Sequence, residues 1–110
     1  MKSKLEICRY GTKRWKLPNG KLHNEDGPAI ICSNGDKSWH INGKCHREDG
    51  PAVMCANGNK SWLINGKLHR EDGPAVERHY GTKKWYLNGI EYKEQEYKKK
   101  IRLIKLELLL

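Results

Sequence analysis

The feature that most constrains this chain is a ten-residue string that occurs three times: KLHNEDGPAI from Lys21, KCHREDGPAV from Lys44 and KLHREDGPAV from Lys67. A string recurring at a fixed interval dictates stacked copies of one small unit, none of which buries a core alone. Trp15, Trp39, Trp62 and Trp85 set the register. Cys8, Cys32, Cys55 and Arg78 precede them at a constant offset, and an Asn-Gly pair follows each one. The units are therefore 8–31, 32–54, 55–77 and a partial 78–92, the first lengthened by Pro18 before its Asn-Gly.

Each unit reads as short strands joined by tight turns. Asn-Gly between apolar-alternating runs marks a hairpin, because both residues accept positive φ. Glu-Asp-Gly-Pro reads as a further turn, in which Asp bonds its own backbone, Gly relieves strain and Pro sets φ where the next strand begins. Period-two alternation puts Trp62 with Ile64 on one face, with Trp39/Ile41 and Trp85/Leu87 as counterparts. Val53 with Cys55, and Ile30 with Cys32, share a face in the same way. These are the expected core positions. Four Trp and five Tyr supply most of the expected burial, since the chain has no Phe.

From about Lys93 the sequence loses Gly and Pro, and 93–110 reads as an amphipathic helix. Tyr97, Ile101, Ile104 and Leu108 recur at helical spacing, with Leu103, Leu106 and Leu110 widening the stripe. Its expected task is to fold back and close the last unit, because an unpaired sheet edge invites further pairing. The expected fold is thus all-β over 1–92, an antiparallel β-hairpin meander forming an elongated twisted sheet, followed by a C-terminal α-helix.

The formal charge of +9 favours acidic partners through long-range steering. No run approaches the roughly 20 apolar residues that span a bilayer, and the first residues lack the apolar stretch of a signal peptide. The expected location is cytoplasmic, in a bacterial or infected host cell, with the cysteines reduced.

His23, His46 and His69 share one slot, each three residues before Asp26, Asp49 or Asp72. A repeat lays these groups out in a line, whereas metal or acid-base chemistry needs them to converge. They are expected to be structural, each imidazole bonded to a nearby carboxylate, as the four Trp are structural. Cys8, Cys32 and Cys55 also share a slot, and Cys45 replaces a Leu; none has the close pairing of zinc ligands. No nucleophile stands beside a base outside the repeated slots. The expectation is therefore no enzyme, no cofactor and no metal.

Lys13, Lys37, Lys60 and Lys83 repeat two residues before each Trp, and Lys21, Lys44 and Lys67 follow Asn-Gly pairs. Like charges on neighbouring strands repel, and the interleaved Glu25/Asp26, Glu48/Asp49 and Glu71/Asp72 are expected to offset this. Two slots vary freely: Lys16, His40, Leu63 and Tyr86 after each Trp, and Ile31, Met54 and Glu77 before the next unit. Variable positions in a rigid repeat read as solvent-facing. Lys16, His40, Leu63, Tyr86, Ile31, Met54, Lys37, Lys60, Lys83 and Lys84 are accordingly the candidate partner-binding residues.

The pattern G-x-K-x-W-x-x-N-G-K-L-H-R-E-D-G-P-A, covering Cys8 to about Tyr92, resembles the variant MORN-type repeats of bacterial and phage-encoded proteins. The resemblance implies a meander of β-hairpins and an antitoxin-like or accessory role, with no enzymatic activity. The leading expectation is a non-enzymatic protein-interaction module. It would be a phage or mobile-element inhibitor of a host defence system, such as an anti-CRISPR, or of a toxin protein. Its partner would be a protein or ribonucleoprotein with an acidic surface. The alternatives are a basic nucleic-acid-binding module, or a structural protein that self-associates as a homodimer through the C-terminal helix or a sheet edge.

Overall fold

The two Asn-Gly pairs of a unit look alike but fold differently. In the computed structural model, which describes residues 2–109, Asn42, Asn65 and Asn88 have φ of 50°, 51° and 51°, and Gly43, Gly66 and Gly89 follow at 82°, 80° and 82°. Two consecutive positive φ values make the two-residue turn whose twist matches the flanking strands. At the opposite end of the units only the glycines are left-handed, Gly35 at 98° and Gly58 at 100°. There Cys32 N–H donates to the Asp36 carbonyl and Gly35 N–H to the Cys32 carbonyl, closing a three-residue loop. Asn34 adds a side-chain acceptor for Asp36 N–H at 3.0 Å. Pro18 converts the first tip to this second type: Leu17 N–H reaches Lys21 O, and Gly20 alone is left-handed.

The strands between these turns are β1 (Lys4–Ile7), β2 (Lys13–Lys16), β3 (Ile30–Ile31), β4 (Lys37–Ser38), β5 (His40–Ile41), β6 (Lys44–Cys45) and β7 (Val53–Met54). The series continues with β8 (Lys60–Ser61), β9 (Leu63–Ile64), β10 (Lys67–Leu68), β11 (Val76–Glu77), β12 (Lys83–Leu87) and β13 (Ile90–Tyr92). Helix α1 (Glu94–Leu109) closes the chain. The main sheet is ordered β1-β2-β3-β4-β7-β8-β11-β12-β13, and β5–β6 and β9–β10 form separate two-stranded hairpins. All pairs are antiparallel. In the middle units the strand breaks at Trp39 and Trp62, so each hairpin swings off the sheet there. The molecule is therefore mixed, not purely all-β: an antiparallel meander with one helix. Strand β1 precedes the first repeat, and its Lys-Leu-Glu-Ile alternation is the local signal for it.

With dimensions of 47 × 35 × 18 Å, the molecule is thin in one direction. Burial follows from that. Ala29, Ala52 and Ala75 of the Gly-Pro-Ala strings are 0% exposed, while the four tryptophans, Ile30, Val53, Cys32 and Cys55 are only half-buried. This corrects the expected core. So thin a body leaves the indoles partly open, while each alanine is held between neighbouring strands by backbone bonds, as Ala29 is to Trp15 and Ser38.

Helix α1 carries Glu94 and Glu96 in its first turn, where negative charge suits the helix dipole. Tyr97 and Ile101 are buried with Leu87, and Trp85, Tyr92 and Ile104 pack around them. The helix so occupies the place that a fourth Glu-Asp-Gly-Pro loop would fill. It runs past the sheet at its far end, where Leu108 is 79% exposed, in contrast to its expected place in the packed stripe. Leu103 and Leu106 also face outward, and Leu110 lies outside the described residues.

Candidate functional site

Each repeated loop is built around its second residue. The Arg47 guanidinium lies 3.9 Å from the centre of the Trp39 ring, its Nε donates to Asp49 Oδ1 at 3.0 Å, and Nη1 donates to the Pro51 carbonyl at 3.1 Å. Arg70 repeats this on Trp62, Asp72 and Pro74 at 3.8, 3.0 and 3.0 Å. Cation–π stacking with a carboxylate and a carbonyl at the fork satisfies a guanidinium on three sides. Gly50 and Gly73 are not left-handed. A Cβ on either would stand 2.9 Å from the guanidinium carbon, so glycine here makes room for the arginine and does not relieve strain. In the first unit Asn24 takes the arginine slot and donates to the Pro28 carbonyl at 3.1 Å.

The histidines link neighbouring units. Nδ1 of His23, His46 and His69 accepts the backbone N–H of Asn42, Asn65 and Asn88, each at 2.9 Å. Those residues lead the hairpin tip of the following unit. An accepting Nδ1 places the ring proton on Nε2, which faces Glu25, Glu48 and Glu71 at 3.4, 3.8 and 2.9 Å. The carboxylate beside each imidazole is thus the glutamate; Asp49 and Asp72 serve the arginines instead, and Asp26 N–H bonds Asn24 Oδ1. At the opposite edge, Ala56 N–H donates to Asp36 Oδ1 at 2.7 Å and His79 N–H to Asn59 Oδ1 at 2.8 Å. The second and third units are each stitched to the next along both edges, whereas the first, with Thr12 in the Asp36 slot, is stitched through His23.

Strand register sorts the candidate residues. Ile7, Lys13, Ile31, Lys37, Met54, Lys60, Glu77 and Lys83 stand opposite one another in a single row across the sheet. Directly opposed residues share a face, so Lys37, Lys60, Lys83, Ile31 and Met54 come together beside the arginine-covered tryptophans. Lys84 falls in the adjacent row with Arg14, Ile30, Ser38, Val53, Ser61 and Val76, on the other face. His40 joins that face, its Nε2 lying 3.0 Å from Ser38 Oγ. Lys16, Leu63 and Tyr86 occupy its slot.

The expectation that both variable slots face solvent needs correction. Lys16, His40, Leu63, Tyr86, Ile31 and Met54 are all half-buried. Arg47 Nη1 reaches Met54 Sδ at 3.8 Å, and Arg70 Nη1 reaches Glu77 Oε2 at 3.2 Å. Variation there follows the neighbouring arginine. His40 Nδ1 is buried without a partner, and burial holds its pKa below the ordinary 6.5. Burial also pushes the Cys45 thiol up from 9.0.

The lysines of the row are different. Lys13, Lys37, Lys60 and Lys83 are exposed, and among the described residues none makes a salt bridge. Apart from Asp26, the loop carboxylates pair with His and Arg of their own loop and do not offset the lysines. Sequence reasoning did not single out Arg47, Arg70 or Asn24. The signal lay in the change from His-Asn-Glu-Asp to His-Arg-Glu-Asp between units.

The four cysteines are free and half-buried. No group of three or more His, Cys, Asp or Glu converges as a metal site among the described residues, and none of their helices is long and apolar enough to cross a membrane. Comparison of the chain with protein-family models, curated proteins and solved structures gives no match in any of the three.

Proposed function

We propose that this protein is a non-enzymatic interaction module that lays its lysine-bearing face against an acidic surface of another protein or of a ribonucleoprotein. One observation carries the reading: four exposed lysines without ion pairs recur on every second strand of a single row. Strands lie about 4.8 Å apart, so the ammonium groups repeat at about 10 Å intervals on a nearly flat slab. Half-buried Ile31 and Met54 between them give the contact an apolar floor. Such a field steers an acidic partner into place and weakens with salt. Within this class, the resemblance of the repeats to phage-encoded variant MORN-type units supports a role as an inhibitor of a host defence or toxin protein.

The test replaces Lys37, Lys60 and Lys83 by Glu together, with the fold verified by circular dichroism. Binding to an acidic polypeptide such as polyglutamate should be salt-dependent in the parent and lost in the variant. Retained binding sinks the proposal. Binding to RNA or duplex DNA that outcompetes polyglutamate and falls steeply with salt would favour the nucleic-acid alternative instead.

A further inference from the structure

The second and third units show what the loop cleft is shaped to hold. Each places a guanidinium on a tryptophan face, with an aspartate at its edge. The first unit keeps Trp15, His23, Glu25 and Asp26 but has Asn24 where the others have arginine. Asn24 performs only the loop-closing part of the arginine's work. Its Nδ2 takes the Pro28 carbonyl, and its Oδ1 accepts the Asp26 N–H at 3.1 Å. The loop is held closed while the space beside the indole is left open. A Cβ on Gly27 would find Asn24 Nδ2 at 3.9 Å, against 2.9 Å to the guanidinium carbon at Gly50 and Gly73. A cleft of about 330 Å³ lies there, with Trp15, Glu25, Asp26 and Lys2 among the residues that line it. Among the described residues no cation stands over Trp15, and the Asp26 carboxylate has no ion-pair partner.

We propose that the Trp15 cleft is a binding site for a guanidinium group, the arginine side chain of a partner polypeptide. The arginine would stack on Trp15 and pair with Asp26, as Arg47 stacks on Trp39 and pairs with Asp49 within the chain. An aromatic face flanked by carboxylates attracts a cation by its quadrupole and by charge, and guanidinium suits it because the planar group stacks and forks at once. The observation is independent of the lysine row, so this site stands or falls separately from the proposed function.

The test follows the Trp15 indole N–H by NMR in the full chain, assigned with Trp15→Phe, during titration with N-acetyl-arginine amide. The neutral isostere N-acetyl-citrulline amide is the control. The Trp15 signal should shift saturably in the millimolar range appropriate to one side chain, with Trp39 and Trp62 unmoved and citrulline inert. Asn24→Arg supplies the missing guanidinium from within, so it should abolish the response and raise the melting temperature by a few degrees. Asp26→Asn, at an exposed position, should weaken binding several-fold without touching the fold. No shift at Trp15, an equal response to citrulline, or a response that survives Asn24→Arg overturns the proposal.

Discussion

Replacing His23 by Leu tests whether the histidines hold the units together. His23 is 6% exposed, and its Nδ1 accepts Asn42 N–H at 2.9 Å. Leucine fills most of the volume but removes the acceptor. Losing the acceptor of this part-buried bond costs about 1–3 kcal/mol. The contact of Nε2 with solvent-exposed Glu25 adds about 0–1 kcal/mol. The expected loss is therefore about 2 kcal/mol, or roughly 10 °C in melting temperature for a domain of this size. His69→Leu provides the internal comparison: it frees the exposed N–H of Asn88, which water can satisfy, and should cost less than about 1 kcal/mol. In His23→Asn the Oδ1 atom can stand where Nδ1 stood, so that variant should recover part of the loss. Urea unfolding followed by tryptophan fluorescence gives the energies, and hydrogen exchange at the Asn42 amide reports the bond directly. If His23→Leu costs no more than His69→Leu, or leaves Asn42 exchange unchanged, the inter-unit bond is not what these histidines contribute.

Four further outcomes are expected. The His40 pKa is lowered by burial, so below 6.5 the unfolded chain binds a proton that the native chain does not. Stability should therefore fall as pH drops through 6.5. His40→Leu should flatten that slope, as paired denaturation curves across the range will show. Gly50→Ala should displace Arg47 from Trp39 and cost about 1–3 kcal/mol, whereas Gly27→Ala, with 3.9 Å of room, should be close to neutral; calorimetry of both variants checks the contrast. Tyr97→Phe removes a hydroxyl that donates to the Arg70 carbonyl and accepts Gly73 N–H at 3.3 Å, for a cost of about 1–3 kcal/mol visible as faster exchange at Gly73. Burial raises the Tyr97 pKa above 10.0, so the unfolded phenol ionises first and stability should also fall as pH rises past that value.

Turn positions and the C-terminal helix were legible because they rest on local chemistry. Asn-Gly, Gly-Pro and the 3.6-residue period act within a few residues of one another, and each repetition confirms the last. The helix reads from Tyr97, Ile101 and Ile104 alone, and the row of lysines follows once Lys13, Lys37, Lys60 and Lys83 are seen to recur two residues before each Trp.

What stayed hidden depends on partners one unit away. His23 bonds Asn42, 19 residues along, and Asp36 bonds Ala56 across 20 residues. No local pattern announces such pairs. Burial was misjudged for a related reason: alternation tells which residues share a face but not how thick the layer above that face is. In a slab 18 Å deep, indoles remain half-open and alanines are sealed. A repeated string thus specifies the unit. The contacts between successive units decide which side chains are enclosed, which are stitched and which, like the lysine row and Trp15, are left facing out.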